Sequence, residues 1–355
     1  MTMTMTISKL SLLDRLLPLW ILLAMAAGLL LGRSFPSLQA ALDAVKLGQT
    51  SLPIAIGLLL MMVPVLAKVR YEELGKALQQ RRLLPLCLLL VWGLGPLLMF
   101  ALAWLFLSDQ ADLRTGVILI GIAPCIAMVL IWIDLAEGDR EAAALLVAIN
   151  AIVQIMGYAF LANFYLKVLP RWLGLPSQDV VFSSADIAKA VLIFLGIPLV
   201  LGYLIRRVGI AMQGRRWYEQ SFLPRLSPWS LIGLLFTIVV MFALQGAVIT
   251  SDPLQVMRVA LPLLLYFAVM WLLAFGLGQR SGLSYRQCAS LAFTAAGNNF
   301  ELAIAVSVSV WGVTSGQALA GVIGPLIEVP VLLALVYLSL ALRRLSYGAG
   351  PRIGP

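Results

Sequence analysis

The sequence contains no histidine. That absence removes the usual imidazole zinc sites, Ser-His-Asp hydrolysis and any histidine proton relay, so a proton carrier here has to be a carboxylate. Charge is scarce: Asp, Glu, Lys and Arg make up 12% of the 355 residues, against about a quarter in a soluble chain. Cysteine is limited to Cys87, Cys125 and Cys288, all in or beside apolar runs, which argues against a disulfide framework. No aspartate lies in the middle of an apolar run, and no lysine or arginine lies at the depth of Glu301 and Glu328. Intramembrane aspartyl and serine proteolysis are thereby excluded, and the chain is not expected to be an enzyme or to need a cofactor. No G-x-x-x-x-G-K-[ST] loop is present, so pumping has to draw on an ion gradient or a partner ATPase.

What the chain does have is apolar surface. Hydrophobic residues make up 62% of it and the mean hydropathy is +1.00. The apolar runs predict helices over Leu16–Leu31, Thr50–Ala67, Leu83–Leu107, Thr115–Ile133, Ala142–Leu166, Ile187–Ile205, Ser227–Thr250, Val259–Gln279, Cys288–Trp311 and Gln317–Leu342. About 20 residues span the hydrocarbon core, and in lipid only helices or closed barrels satisfy their backbone. Runs this continuous are not the alternating strands of a barrel. The expected fold is an all-α polytopic membrane protein with ten transmembrane helices. The first run is read as a retained helix, because Arg33 and Phe35 stand where a small-residue cleavage site would be.

The net charge of +9 comes from lysines and arginines in short connections, so it speaks to topology and lipid headgroups rather than to nucleic acid. Eighteen of them fall on the side of the two termini and seven on the other. The positive-inside rule then puts both termini in the cytoplasm. Ten helices divide into two sets of five, residues 1–175 and 176–355, at the proline-containing connection that follows Lys167. An odd number of helices per half forces opposite orientations, the inverted-repeat plan of many secondary transporters.

The halves match in one telling respect. The fourth helix is interrupted at Pro124, and the ninth, its counterpart, at Gly297-Asn298-Asn299. Interrupted segments at corresponding positions point to a midplane binding site. Glu301 and Glu328 lie deep in the last two runs, where a charge costs at least about 2.5–3.5 kcal/mol. Two readings fit them: proton carriers, or neutral carboxyls fixing helix packing. Asn298 and Asn299 fit either unwound backbone lining a wet cavity or amide links between helices. Cys125 follows Pro124, beside backbone that the proline frees. A thiol there favours a soft solute such as trivalent arsenic or antimony. Asn150 and Gln154 share one helix face and serve either the polar site or a neighbouring helix. Cys87 and Cys288 are read as packing, and Asp134–Glu141 as a solvated turn.

Four stretches carry a resemblance. They are Gly121-Ile-Ala-Pro-Cys125-Ile-Ala-Met-Val, Gly138-Asp139 through Asn150 to Gln154, Asn298-Asn-Phe-Glu301-Leu-Ala-Ile-Ala-Val and Pro325-Leu-Ile-Glu328-Val-Pro-Val331. In this order they resemble the motifs of the yeast-type arsenite efflux permeases, within the bile acid/arsenite/riboflavin transporter superfamily. Ile126 and Gly297 depart from the small polar residues expected there. The resemblance implies ten helices, cytoplasmic termini in the plasma membrane, and export of trivalent arsenic as arsenite in exchange for protons, and it leaves the choice between arsenite and antimonite open. It implies a required cysteine at Cys125 and a required glutamate at Glu301, with Glu328 as a further participant. The expected substrate-binding residues are Cys125, Asn298, Asn299 and Asn150; the proton-coupling residues are Glu301 and Glu328; Pro124 and Gly297 form the helix breaks, which cross. The alternative within the superfamily is a sodium-coupled carrier of an organic anion.

Overall fold

The computed structural model describes residues 16–35, 46–47, 50–73, 75, 80–175 and 182–346. The regular structure of these residues is helical apart from a short antiparallel pairing of Lys46–Leu47 with Thr50–Ser51. The helices are α1 (Leu17–Ser34), α2 (Leu52–Ala67), α3 (Leu83–Phe106), α4 (Ala111–Gly121), α5 (Val129–Leu135) and α6 (Arg140–Trp172). Next comes α7, which runs from Ser184–Val191 through a π turn at Leu192–Gly196 into Ile197–Trp217. Then follow α8 (Leu223–Ser251), α9 (Pro253–Arg280), α10 (Tyr285–Ala296), α11 (Phe300–Trp311) and α12 (Gly316–Ser346). Among the described residues, five helical stretches are long and apolar enough to cross a membrane, and three shorter helices are also apolar. This is the architecture of a polytopic membrane protein.

Several departures from straight helix have one cause. π-Helical turns occur at Leu89–Leu94, Phe164–Val168, Leu192–Gly196 and Tyr218–Phe222. Each is followed two residues later by a proline: Pro96, Pro170, Pro198 and Pro224. A proline has no N–H and its ring clashes with the carbonyl four residues back. In all four cases that carbonyl (Trp92, Leu166, Phe194, Gln220) lies inside the π turn, where the ladder slips to i→i+5 to clear the ring.

The helices pack as two groups. In one, α8 lies along α1 and α2, and α7 packs on α2. Close approach needs small residues: a β-carbon on Gly32 would sit 2.2 Å from the Ala243 carbonyl oxygen. In the other group, α12 is central, against α4, α9 and α11; α3 packs on α4 and α9, and α9 on α10. The first stretch of α7 reaches across to this group, touching α6 and α11. Each group therefore draws helices from both halves of the chain.

Two connections differ from the expected loops. The basic stretch Arg206–Arg225 is largely helical, and the chain reverses at Gly214, whose φ of 83° is open to glycine. Arg206, 2% exposed, is chelated by Glu72 at 2.5 Å and contacts Glu219 at 3.2 Å, which ties α7 to the segment after α2 and to the start of the return. The Arg206 hydrogen bond holds the Glu72 carboxyl below its ordinary value. The acidic turn read as solvated is docked instead. The Asp139 N–H donates to the Ser290 hydroxyl at 2.8 Å, the Tyr285 hydroxyl donates to the Ala136 carbonyl at 2.7 Å, and Arg343 pairs with Glu137. Polar groups at helix ends find partners because unpaired ones are costly next to lipid.

Candidate functional site

The first break begins where α4 ends. Pro124 cannot donate a hydrogen bond, and the chain stays non-helical from Ile122 to Met128 before α5 starts at Val129. The second lies between α10 and α11: Gly297 is extended (φ −75°, ψ 141°) and Asn299 caps α11, its side chain accepting from the Leu302 N–H at 3.0 Å.

The two breaks pair with each other. Pro124 and Asn298 face one another as an isolated antiparallel bridge. The Cys125 N–H donates to the Gly297 carbonyl at 3.0 Å, and the Asn299 N–H donates to the Ala123 carbonyl at 2.6 Å. Two unwound segments thus satisfy each other's backbone, as buried backbone must be satisfied. Side chains complete the set. The Tyr158 hydroxyl donates to the Leu119 carbonyl at 2.9 Å, near the end of α4, and Asn298 Nδ2 donates at 3.0 Å to the Ile120 carbonyl, which also accepts the Ala123 N–H at 3.0 Å. Gln154, wholly buried on α6, bonds to both breaks. Its Nε2 donates to the Pro124 carbonyl at 2.8 Å and its Oε1 accepts from Asn299 Nδ2 at 3.0 Å.

The predicted residues gather on this frame. Cys125, Asn298 and Asn299 are at the crossing itself and are at most 2% exposed. The backbone N–H groups of Ala127 and Val129 face the Cys125 sulfur. Glu301 is in the first turn of α11, where the positive end of the helix favours a carboxylate. Glu328 approaches from α12, and the Asn298 N–H faces its carboxyl. A β-carbon on Gly297 would stand 3.1 Å from Cys125 Cβ and 3.7 Å from Glu328 Oε1, so the glycine lets thiol and carboxyl close in on the break. Asn150 lies one turn before Gln154 on α6 and accepts from the Trp92 indole N–H at 3.1 Å.

Not all of this polar equipment is used. Asn150 Nδ2, Asn298 Oδ1, Glu328 Oε1 and, one turn before Gly297, Thr294 Oγ1 are buried without a hydrogen-bond partner among the described residues. Natural structures rarely leave such groups idle, and each raises the question of what it meets. Asn299 differs, since both ends of its amide are engaged within the frame. The arrangement presents a thiol, donors, acceptors and two carboxyls, with no buried cation at the crossing among the described residues. The buried arginines Arg114 and Arg206 are held elsewhere, Arg114 by the Leu107 and Ser108 carbonyls and the Trp104 ring. In the sequence Gln154 carries two signals, its i, i+4 spacing with Asn150 and its place at the end of the second resembling stretch, and neither marks it as the link between the breaks.

Comparison with known proteins is consistent across the chain. Residues 55–252 match the model of the Sodium Bile acid symporter family. The chain is 54% identical to the arsenical-resistance protein Acr3 of Corynebacterium glutamicum over 98% of its own length and 92% of that protein's. It is 35% identical to an uncharacterised transporter of Synechocystis, over 92% of this chain and 88% of that one. With the Acr3 arsenical-resistance protein of Alkaliphilus metalliredigens the identity is 30%, over 92% of each chain. Relatives matched over nearly their whole length and a family model covering more than half the chain lead to one conclusion: this protein is a transporter, not an enzyme, and belongs to the sodium bile acid symporter family together with the Acr3 arsenical-resistance proteins.

Proposed function

We propose that this protein exports trivalent arsenite from the cytoplasm in exchange for protons, with antimonite as a second cargo. The observation that carries the reading is the crossing: a buried thiol between two mutually paired helix breaks, beside two carboxyls and unpartnered amide atoms. The arsenical-resistance names of two relatives support it. In this reading ten spans form two inverted five-helix repeats, residues 1–175 and 176–355. The fourth span is α4 with α5 and the ninth is α10 with α11. The protein lies in the plasma membrane with both termini in the cytoplasm.

Arsenite arrives as the neutral trihydroxide, which suits a site with donors and acceptors but no cation. Cys125 contacts the arsenic reversibly, as a soft ligand does for a thiophilic element. Asn298 Oδ1 accepts from one arsenic hydroxyl, and Asn150 Nδ2 donates to another. Asn299, whose amide is engaged, holds the frame on which they stand. Glu301 takes a proton from outside and releases it inside, with Glu328 as the neighbouring acceptor, while one helix group rocks against the other. One proton entering per neutral solute exported adds about 2.3 kcal/mol per 100 mV of membrane potential, almost two decades of gradient. A sodium-coupled carrier of organic anions would want a cation or exposed half-helix N-termini at the crossing; the buried arginines are bound elsewhere, and the start of α11 is capped by Asn299 and carries Glu301 in its first turn.

The test is arsenite uptake into everted membrane vesicles at matched protein levels. Wild-type vesicles should accumulate arsenite, whereas Cys125→Ser and Glu301→Gln should insert normally and accumulate none. Full uptake by Glu301→Gln would end its role as proton carrier, and full uptake by Cys125→Ser would remove the thiol from the site.

A further inference from the structure

A second feature lies away from the crossing, where α3 begins and α9 ends. A groove of about 460 Å³ is lined there by Arg82, Pro85, Leu86, Leu89 and Ser281. Arg82 supplies a cation to the lining, and the chain neighbours of Arg82 and Ser281 are Arg81 and Arg280. All three arginines are exposed, and none has a carboxylate partner among the described residues. Arg82 spends one N–H on the Ser281 carbonyl at 3.1 Å, which closes the two helix ends together and leaves the rest of its five donors free. Below the mouth the wall turns apolar. Leu89, 65% exposed, lies seven residues from Arg82, or about 10 Å along the helix. Both α3 and α9 are apolar enough to cross a membrane, so the groove straddles the level where headgroups give way to acyl chains.

We infer that this groove binds an anionic phospholipid. The phosphate sits on Arg82, with Arg81 and Arg280 beside it, and an acyl chain runs along Leu86 and Leu89. Guanidinium matches phosphate in bidentate geometry, and the unpaired positive charge at the mouth distinguishes an anionic lipid from a zwitterionic one. The exposed leucine below supplies what a soluble anion would not use.

Native mass spectrometry of the purified full chain, titrated with phosphatidylglycerol or phosphatidylcholine, tests this. Phosphatidylglycerol should be retained preferentially. Arg82→Gln and Arg280→Gln should each weaken its retention about fivefold, the effect of one basic residue near a lipid surface. Leu89→Gln should weaken retention of both lipids. The Arg280 side chain makes no hydrogen bond or ion pair among the described residues, so Arg280→Gln keeps the test valid if Arg82→Gln disturbs the Ser281 bond. Equal retention of the two lipids, or undiminished phosphatidylglycerol binding in Arg280→Gln together with Arg82→Gln, would overturn the site. Displacement of the lipid by millimolar inorganic phosphate, with Leu89→Gln without effect, would reassign the groove to a free anion and equally overturn the lipid.

Discussion

Among the described residues Gln154 is the one side chain that bonds to both breaks, and its removal has a calculable consequence. Leucine fills similar volume without polar atoms, so Gln154→Leu creates little cavity. It does leave the Pro124 carbonyl and Asn299 Nδ2 buried and unpaired. Each such group costs about 1–3 kcal/mol, giving roughly 2–6 kcal/mol together, a large part of the roughly 5–15 kcal/mol that holds an ordinary domain. The thermal midpoint of the detergent-solubilised protein should fall by roughly 5–15 °C. Arsenite uptake by vesicles should fall at least about tenfold, the factor that 1.4 kcal/mol supplies. Because Asn299 shares one of the lost bonds, the loss in Gln154→Leu with Asn299→Leu should be smaller than the two single losses added, by about 0.5–3 kcal/mol. Strict additivity, or a Gln154→Leu protein with wild-type midpoint and uptake, would refute the view that this amide bolts the breaks together.

Other expectations follow from single contacts. A β-carbon on Gly324 would stand 1.9 Å from Phe300 Cε1, a buried ring next to Glu301, so Gly324→Ala should lower the thermal midpoint by the equivalent of about 1–3 kcal/mol and depress uptake; unchanged uptake would mean the ring moves freely. Trp92→Phe removes the N–H that orients Asn150, and should raise the KM for arsenite more than it lowers the maximal rate; an unchanged KM would take Asn150 out of the site. The Glu72 carboxyl is held low by Arg206, so its contribution to stability is complete above the unfolded carboxylate value, about pH 4.3, and is lost as pH falls through the lower folded one. Glu72→Gln should flatten that part of the acid-unfolding curve, and an identical curve would refute the assignment.

The breaks were legible in the sequence because they are written in backbone chemistry: Pro124 without an N–H, and Gly297-Asn298-Asn299 with two poor helix formers after a glycine. Glu301 and Glu328 stood out because a carboxyl in an apolar run is expensive. The pairing of Cys125 with Gly297 and of Ala123 with Asn299 was not legible, since a contact across some 170 residues leaves no local period. Gln154 was undervalued for the same reason. The four π turns were readable in principle, each set two residues ahead of a proline, but hydropathy alone does not register them. Nor does it assign partners: the lipid-facing and protein-facing sides of α8 are both apolar, so the grouping of α8 with α1 and α2 had to come from the structure.

The central claim is that a proton gradient drives arsenite outward through the crossing. The direct measurement is arsenite accumulation in everted vesicles carrying an imposed proton gradient, with and without a protonophore. The account predicts accumulation above the external concentration, collapse on adding the protonophore, and no accumulation with Glu301→Gln. Accumulation that survives the protonophore, or that follows a sodium gradient instead, would contradict it.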